Sequence, residues 1–295
     1  MWFKNLTLFR LVEPFTLSAE ALAGKLAQAV FYPCTPQAPS SHGWVPPLGR
    51  KATDLVQAVG GCLLVCLKTE EKLLPAAVVR EIVADQVAEI EAREQRPVRR
   101  PEQQRLREDV LQALLPRALT RSQRHYAYID TRGGWLVVDS VNRTVVERLT
   151  RALRGTLSNL PITPLRVASA PAVVMTAWLA DNTLADDFAL ADECELQDRE
   201  ADGGVVRCKG QDLGGAEILT HLQAGKQVTR LGLTWNRRIA LVLTEELSIR
   251  RLRFLDVIKE QLEGVDTAAQ LFDAQFALMS AELAVFLPRL LAVFE

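Results

Sequence analysis

The chain has 295 residues, of which 48% are hydrophobic and 24% charged, an ordinary globular composition that excludes a disordered or fibrous chain. Its net charge of −1 excludes a protein that is basic throughout, and 6% aromatics are too few for an extended base-stacking platform. The most apolar short run, residues 62–67, falls far below the roughly 18 residues of a bilayer crossing, and Lys4, Arg10 and Glu13 interrupt any signal-like stretch.

Residues 1–10 alternate in strand-forming types and predict a strand. Ser18 can N-cap a helix reaching about Phe31, with Leu22, Leu26, Ala29 and Val30 as its apolar stripe. Pro33 and Pro36 end it, and a loop is expected through Gly49. Residues 55–59 and 62–68 flank Gly60-Gly61, a hairpin signal. Residues 75–93 then carry Val79, Ile82, Val83, Val87 and Ile90 at helical spacing. A basic, Pro-containing turn at 96–101 separates this helix from a second, with Leu106, Val110, Leu111 and Leu114. The pair reads as a helical hairpin.

Strands follow at 125–131 and 135–140 across Arg132-Gly133-Gly134, then a helix at 142–157. Pro161, Pro164 and Pro171 suggest a domain boundary. Beyond it are predicted a short helix at 172–180, an acidic segment, a strand at 205–209 and a helix at 213–224 ended by Gly225. Three meander strands are expected at 228–235, 239–244 and 247–254. In the last, Leu252 and Phe254 point to one face and Arg251 and Arg253 to the other. Phe272, Phe276, Met279, Leu283, Phe286 and Leu290 mark a terminal helix, in which Pro288 should cost roughly 3 kcal/mol unless a kink absorbs it. The fold class is therefore α+β, with mixed or antiparallel sheets, packed helices and a projecting hairpin. Its expected units are a central domain (1–75 and 116–165), the hairpin (76–115) and a C-terminal domain (166–295).

Charge is segregated along the chain. Residues 93–124 hold nine Arg against four acids; residues 181–202 hold nine acids against Arg199; residues 226–259 hold eight basic residues against three acids. Such segregation allows one electropositive surface for a polyanion while acidic residues face elsewhere. Nucleotide-binding glycine loops, zinc-protease and serine-hydrolase motifs are absent, and no cofactor is expected. His42, His125 and His221 lack partners at ligand spacing, and the five cysteines are scattered, with Cys62 and Cys66 reading as buried core residues. Asp130 and Asp139 flank the 132–134 turn, where two facing carboxylates would hold Mg²⁺ for phosphodiester hydrolysis.

Several segments in order resemble one family. They are Trp2-Phe3-Lys4-Asn5, Gly43-Trp44-Val45-Pro46-Pro47-Leu48-Gly49, Glu70-Glu71-Lys72-Leu73-Leu74-Pro75 and Leu114-Leu115-Pro116-Arg117-Ala118. Asp202-Gly203-Gly204-Val205, Lys209 with Gln211-Asp212-Leu213, Ala224-Gly225-Lys226 with Val228-Thr229, and Phe272-Asp273 with Phe276 continue the series. Together they resemble the RdgC family of recombination-associated proteins. The resemblance implies a homodimeric ring around duplex DNA, with little sequence preference, that restrains the RecA recombinase and sits in the cytoplasm on the nucleoid; no membrane partner is expected.

On that resemblance Lys209 and Gln211 are expected to approach DNA, with Gly210 between them where the family usually has Lys. Lys226, Arg230, Arg251 and Arg253 are expected phosphate contacts on the meander, and Arg117, Arg121 and Arg124 are expected near the hairpin base. Leu119 stands where relatives carry Phe at the ring-closing dimer contact, and Pro288 departs from an uninterrupted terminal helix. The alternatives are a metal-dependent nuclease built on Asp130 and Asp139, and a recombination-protein scaffold that does not touch DNA.

Overall fold

A computed structural model describes residues 1–49, 52–181, 183–199, 203–259 and 267–295. Glu200 and Asp202 of the acidic run lie outside the described residues, as does the side chain of Lys259. The chain folds as α+β around two antiparallel sheets.

The larger sheet contains β1 (Thr7–Leu11), β2 (Ser40–Val45), β3 (Gln57–Val59), β4 (Cys62–Lys72), β5 (Thr120–Asp130), β6 (Trp135–Val138) and β7 (Ile162–Pro164). Its order is β2-β4-β5-β6-β1-β7, with β3 also paired to β4. Both faces of this sheet are covered, which is why β4 reads as a continuous apolar run. Leu63, Val65 and Leu67 pack toward α1 (Ala19–Leu26) and α4 (Arg143–Leu157), whereas Cys62 and Leu64 face the opposite core. Ser18 caps α1 by accepting from the Ala21 N–H at 3.2 Å, and Asn142 caps α4 through the Val145 N–H at 3.3 Å. After Leu26 the expected helix tightens into a 3-10 turn at Ala27–Ala29.

Two segments read from their prolines, one as a loop and one as a domain boundary, contain edge strands. β2 pairs with β4, and β7 pairs with β1 so that Pro164 lies opposite Phe9. Pro164 ends the short edge strand β7, a position that spares it a ladder hydrogen bond. The first residues also depart from a single strand. Residues 7–10 pair with β6, but Leu6 bridges Ile249 of the second sheet and the Lys4 carbonyl accepts from the Leu252 N–H at 2.8 Å. The N-terminal segment thereby ties one sheet to the other.

Between β4 and β5 the chain leaves the sheet as α2 (Ala76–Glu94) and α3 (Arg100–Leu114), a hairpin in which α2 and α3 pack on each other. Val79 is the buried residue of α2 and Val110 that of α3, so the pair has little core of its own. Gln95 closes α2 in the left-handed region, at φ 53°.

The second sheet contains β8 (Phe188–Gln197), β9 (Val205–Lys209), β10 (Gln227–Trp235), β11 (Ile239–Thr244) and β12 (Ile249–Phe254), in the order β12-β11-β10-β8-β9. The middle of the acidic segment, with Asp192, Glu193 and Glu195, is therefore strand β8, inside the sheet. α5 (Pro171–Asp181), α6 (Ala216–Gln223), α7 (Asp256–Lys259) and α8 (Ala268–Ala292) complete the chain. α8 is long and apolar enough to cross a membrane, contrary to the expectation that no segment is. Its apolar side is used internally: Phe276, Met279, Leu283 and Phe286 are fully buried. Phe276 meets Tyr128 of the larger sheet edge-on at 5.8 Å, and Phe286 meets Trp235 of the smaller sheet at 5.4 Å. The helix continues through Pro288 to Ala292.

Because Phe276 fills the space under Tyr128, Phe276→Ala is expected to cost about 3–5 kcal/mol, read as a lowered urea midpoint. A loss below about 1 kcal/mol would mean that α8 does not hold the larger sheet.

Candidate nucleic-acid interface

One face of the second sheet packs on α5 and α8; the other is open. The open face forms a cleft of about 430 Å³, floored by Val242 and rimmed by Arg207, Lys209, Arg230, Arg250 and Arg251, with Glu193, Glu195 and Asn5. Five cations less two carboxylates leave a local charge of +3.

Irregular register creates this concentration. Ala240 pairs with Arg253 and Val242 with Arg250, so Leu241 alone faces both Arg251 and Leu252. This β-bulge puts Arg251 at φ 50°, a left-handed conformation that costs on the order of 1 kcal/mol for a residue with a side chain. It lets consecutive Arg250 and Arg251 line the cleft while Ile249, Leu252 and Phe254 stay in the core. The Arg251 N–H donates to Asn5 Oδ1 at 3.3 Å, so the N-terminal crossing supports the bulge. A second irregularity sets Gly232 opposite a widened part of β8. A Cβ at Gly232 would lie 3.0 Å from both Cγ and the carbonyl oxygen of Glu193, so only glycine lets Glu193 pass this closely.

The acids and bases share the face. Glu195 accepts from Arg207 Nε at 2.7 Å and from Arg230 at 3.2 Å, and Glu193 pairs with Arg251. These pairs are partly exposed and stabilise little, but they hold extended guanidinium groups in place. Arg250 Nε is buried without a hydrogen-bond partner among the described residues, a cost of about 1–3 kcal/mol for a polar group left unsatisfied. The expectation that acidic residues face away from the basic surface is thus corrected: period-two alternation brings Glu193 and Glu195 onto it.

The remaining expected residues are distributed unequally. Lys209 lines the cleft, and exposed Gln211 follows Gly210, whose φ of 68° turns the chain out of β9. Lys226 is largely buried and committed to Asp198 at 2.7 Å and the Gly204 carbonyl at 2.9 Å, clamping the β8–β9 connection and lowering the Asp198 pKa. Arg253 is exposed on β12 but does not line the cleft. Arg117, Arg121, Arg124 and Leu119 belong to the hairpin base and the larger sheet. Arg124 donates to the Pro46 carbonyl at 2.9 Å, Arg121 lies opposite Glu71, and Leu119 is 78% exposed.

Asp130 and Asp139 do not face each other. Asp130 pairs with Trp135, and its Oδ1 accepts from the N–H groups of Arg132 and Gly133 at 3.0 and 2.8 Å. Asp139 lies beyond the far end of β6, accepting from the N–H groups of Lys4 and Asn5 at 2.8 and 3.2 Å. Burial pushes the Asp139 carboxyl above the ordinary carboxylate range, against the pull of those donors. Among the described residues no group of three or more His, Cys, Asp or Glu has metal-site geometry. Cys62 and Cys66 are buried, and desolvation pushes their thiols up to about 11 and about 12.

Sequence reasoning missed Arg250 and Arg207. The unbroken Arg250-Arg251 pair between Ile249 and Leu252 was the available signal, because strict alternation cannot place both arginines outside and both apolar residues inside.

Residues 1–295 match a family model described as "Putative exonuclease, RdgC". Proteins named "Recombination-associated protein RdgC" are similar over nearly their whole lengths. That of Halorhodospira halophila is 42% identical over 296 residues, covering 100% of this chain and 98% of the relative. That of Aeromonas hydrophila is 41% identical over 295 residues (99% and 97%), and that of Pseudomonas fluorescens 40% over 293 (98% and 96%).

Replacing Glu195 by Gln removes one of two carboxylates from the cleft and raises its charge from +3 to +4. Glu195→Gln is expected to elute from a sulfated-polysaccharide column at higher salt than the parent chain. Unchanged elution would mean that Arg207 and Arg230 do not reach anions from this face.

Proposed function

The chain belongs to the RdgC family, and from that premise we propose that it is a non-enzymatic protein that binds duplex DNA through the phosphate backbone. In this reading two copies close a ring around the duplex and restrain recombination by a RecA-class recombinase on the nucleoid in the cytoplasm. The observation that carries the DNA reading is the +3 cleft, with Arg250 and Arg251 set side by side by the bulge. Guanidinium groups suit phosphate oxygens, and contacts of this kind position a duplex without reading its sequence. Stacking is disfavoured at Trp44, which is 1% exposed and donates its indole N–H to Thr156 at 2.9 Å.

Within this proposal Arg207, Lys209, Arg230, Arg250 and Arg251 are the inner contacts, with Gln211 and Arg253 beside them. Glu193 and Glu195 hold the guanidinium groups until phosphates replace them. Lys226 acts through the β8–β9 connection that it clamps. Arg117, Arg121 and Arg124 supply a second basic region. Leu119, whose carbonyl accepts from the N–H of exposed Leu73 at 2.8 Å, supplies the apolar contact with the second copy. The exonuclease description of the family model favours hydrolysis, but Asp130 and Asp139 sit apart with their oxygens on backbone N–H groups.

The test is binding to matched linear and closed-circular duplexes across a salt series. Log affinity should fall with log salt at about 0.9 per phosphate contact, and Arg250→Ala or Arg251→Ala should flatten that slope by about one unit on every sequence. Complexes on circles should outlast those on linear DNA at high salt; equal loss from both would rule out encirclement. Long incubation with Mg²⁺ should leave the duplex intact, and shortening from its ends would restore the nuclease reading.

A further inference from the structure

Cys194 of β8 and Cys208 of β9 are direct cross-strand partners. Two residues along the ladder, the Gly210 N–H donates to the Asp192 carbonyl at 2.7 Å, which makes the cysteine pair a hydrogen-bonded pair as well. Opposed Cα atoms at such positions stand about 5.5 Å apart, inside the roughly 4.4–6.8 Å that a disulfide spans. Among the described residues the other cysteines lack this placement. Cys62 and Cys66 are four residues apart on one strand, and Cys34 lies against Ser41 and the Glu70 carbonyl.

The two thiols differ in access. Cys194 is buried, and desolvation, with Cys208 beside it, pushes its thiol up to about 12. Cys208 is half-buried on the edge strand, between exposed Arg207 and Lys209. Cys208 is the more accessible of the two, so it is the sulfur an oxidant meets first.

We propose that Cys194 and Cys208 form a reversible dithiol–disulfide site that staples edge strand β9 to β8. The oxidant class is a small disulfide. The Cys208 thiolate attacks it, forming a mixed disulfide and releasing one small thiol. Cys194 then gives up its proton and its sulfur displaces the second small thiol, forming the Cys194–Cys208 bond. Two protein thiols are oxidised and one small disulfide is reduced to two thiols. Cβ atoms at a hydrogen-bonded pair lie farther apart than the roughly 3.8 Å of a relaxed disulfide, so the bond draws β9 inward and reduces readily. Any consequence for duplex binding rests on the function proposed above, since β9 carries Arg207 and Lys209 into the cleft.

The full chain, first reduced, is treated with oxidised glutathione, alkylated and digested for mass mapping. The expected result is one peptide joining Cys194 to Cys208, loss of two of the five thiols, and their return with dithiothreitol. Cys194→Ala should leave Cys208 carrying glutathione instead. Retention of all five thiols, or glutathione on Cys208 of the unaltered chain without the cross-link, would overturn the proposal. The linkage is read by mass, so it fails or holds independently of DNA binding. Duplex affinity of the oxidised chain, measured alongside, reports separately on the cleft.

Discussion

The burial of α8 against both sheets is the constraint on which the other features rest. Phe276 under Tyr128 and Phe286 against Trp235 make the helix a shared wall, and the N-terminal segment crosses the same junction from Leu8 to Lys4. Neither sheet can move without opening apolar surface, at about 25 cal/mol for each Å² returned to water. The open face of the second sheet is consequently a rigid platform. Its distance from the hairpin base is set by the core rather than by a linker.

Rigidity matters because the basic face contains its own opposition. Glu193 and Glu195 lie among the guanidinium groups they hold, so the cleft is positive by a margin rather than uniformly. A bulge held by Asn5 and a close approach allowed by Gly232 fix where these pairs form. Left-handed strain at Arg251 is the local cost of that arrangement.

Much of the secondary structure was legible because its signals are local. Ser18 and Asn142 cap their helices through their own side chains, Gly225 takes a φ of 92° after α6, and the hairpin helices keep their periodicity between Pro75 and Leu114. Strands β2, β7 and β8 were not legible. Their residues are polar, proline-containing or acidic, and they are strands because neighbouring edges offer hydrogen bonds that no local pattern records.

The sequence by itself determined the α+β class, the apolar stripe of α8, the family and the excess of arginine in the last strands. It also determined that Leu252 and Phe254 face inward, since water excludes only one of the two sets that alternate along β12. Only the tertiary structure decided which charges meet. A register shift turned Arg250 and Arg251 together into one cleft, strand pairing laid the acidic strand across the basic face and set Cys194 opposite Cys208, and the approach of Asp198 turned Lys226 into a clamp. The physical reason is that pairing between strands fixes separations of about 5 Å between residues distant in sequence. A single inserted residue changes every partner beyond it.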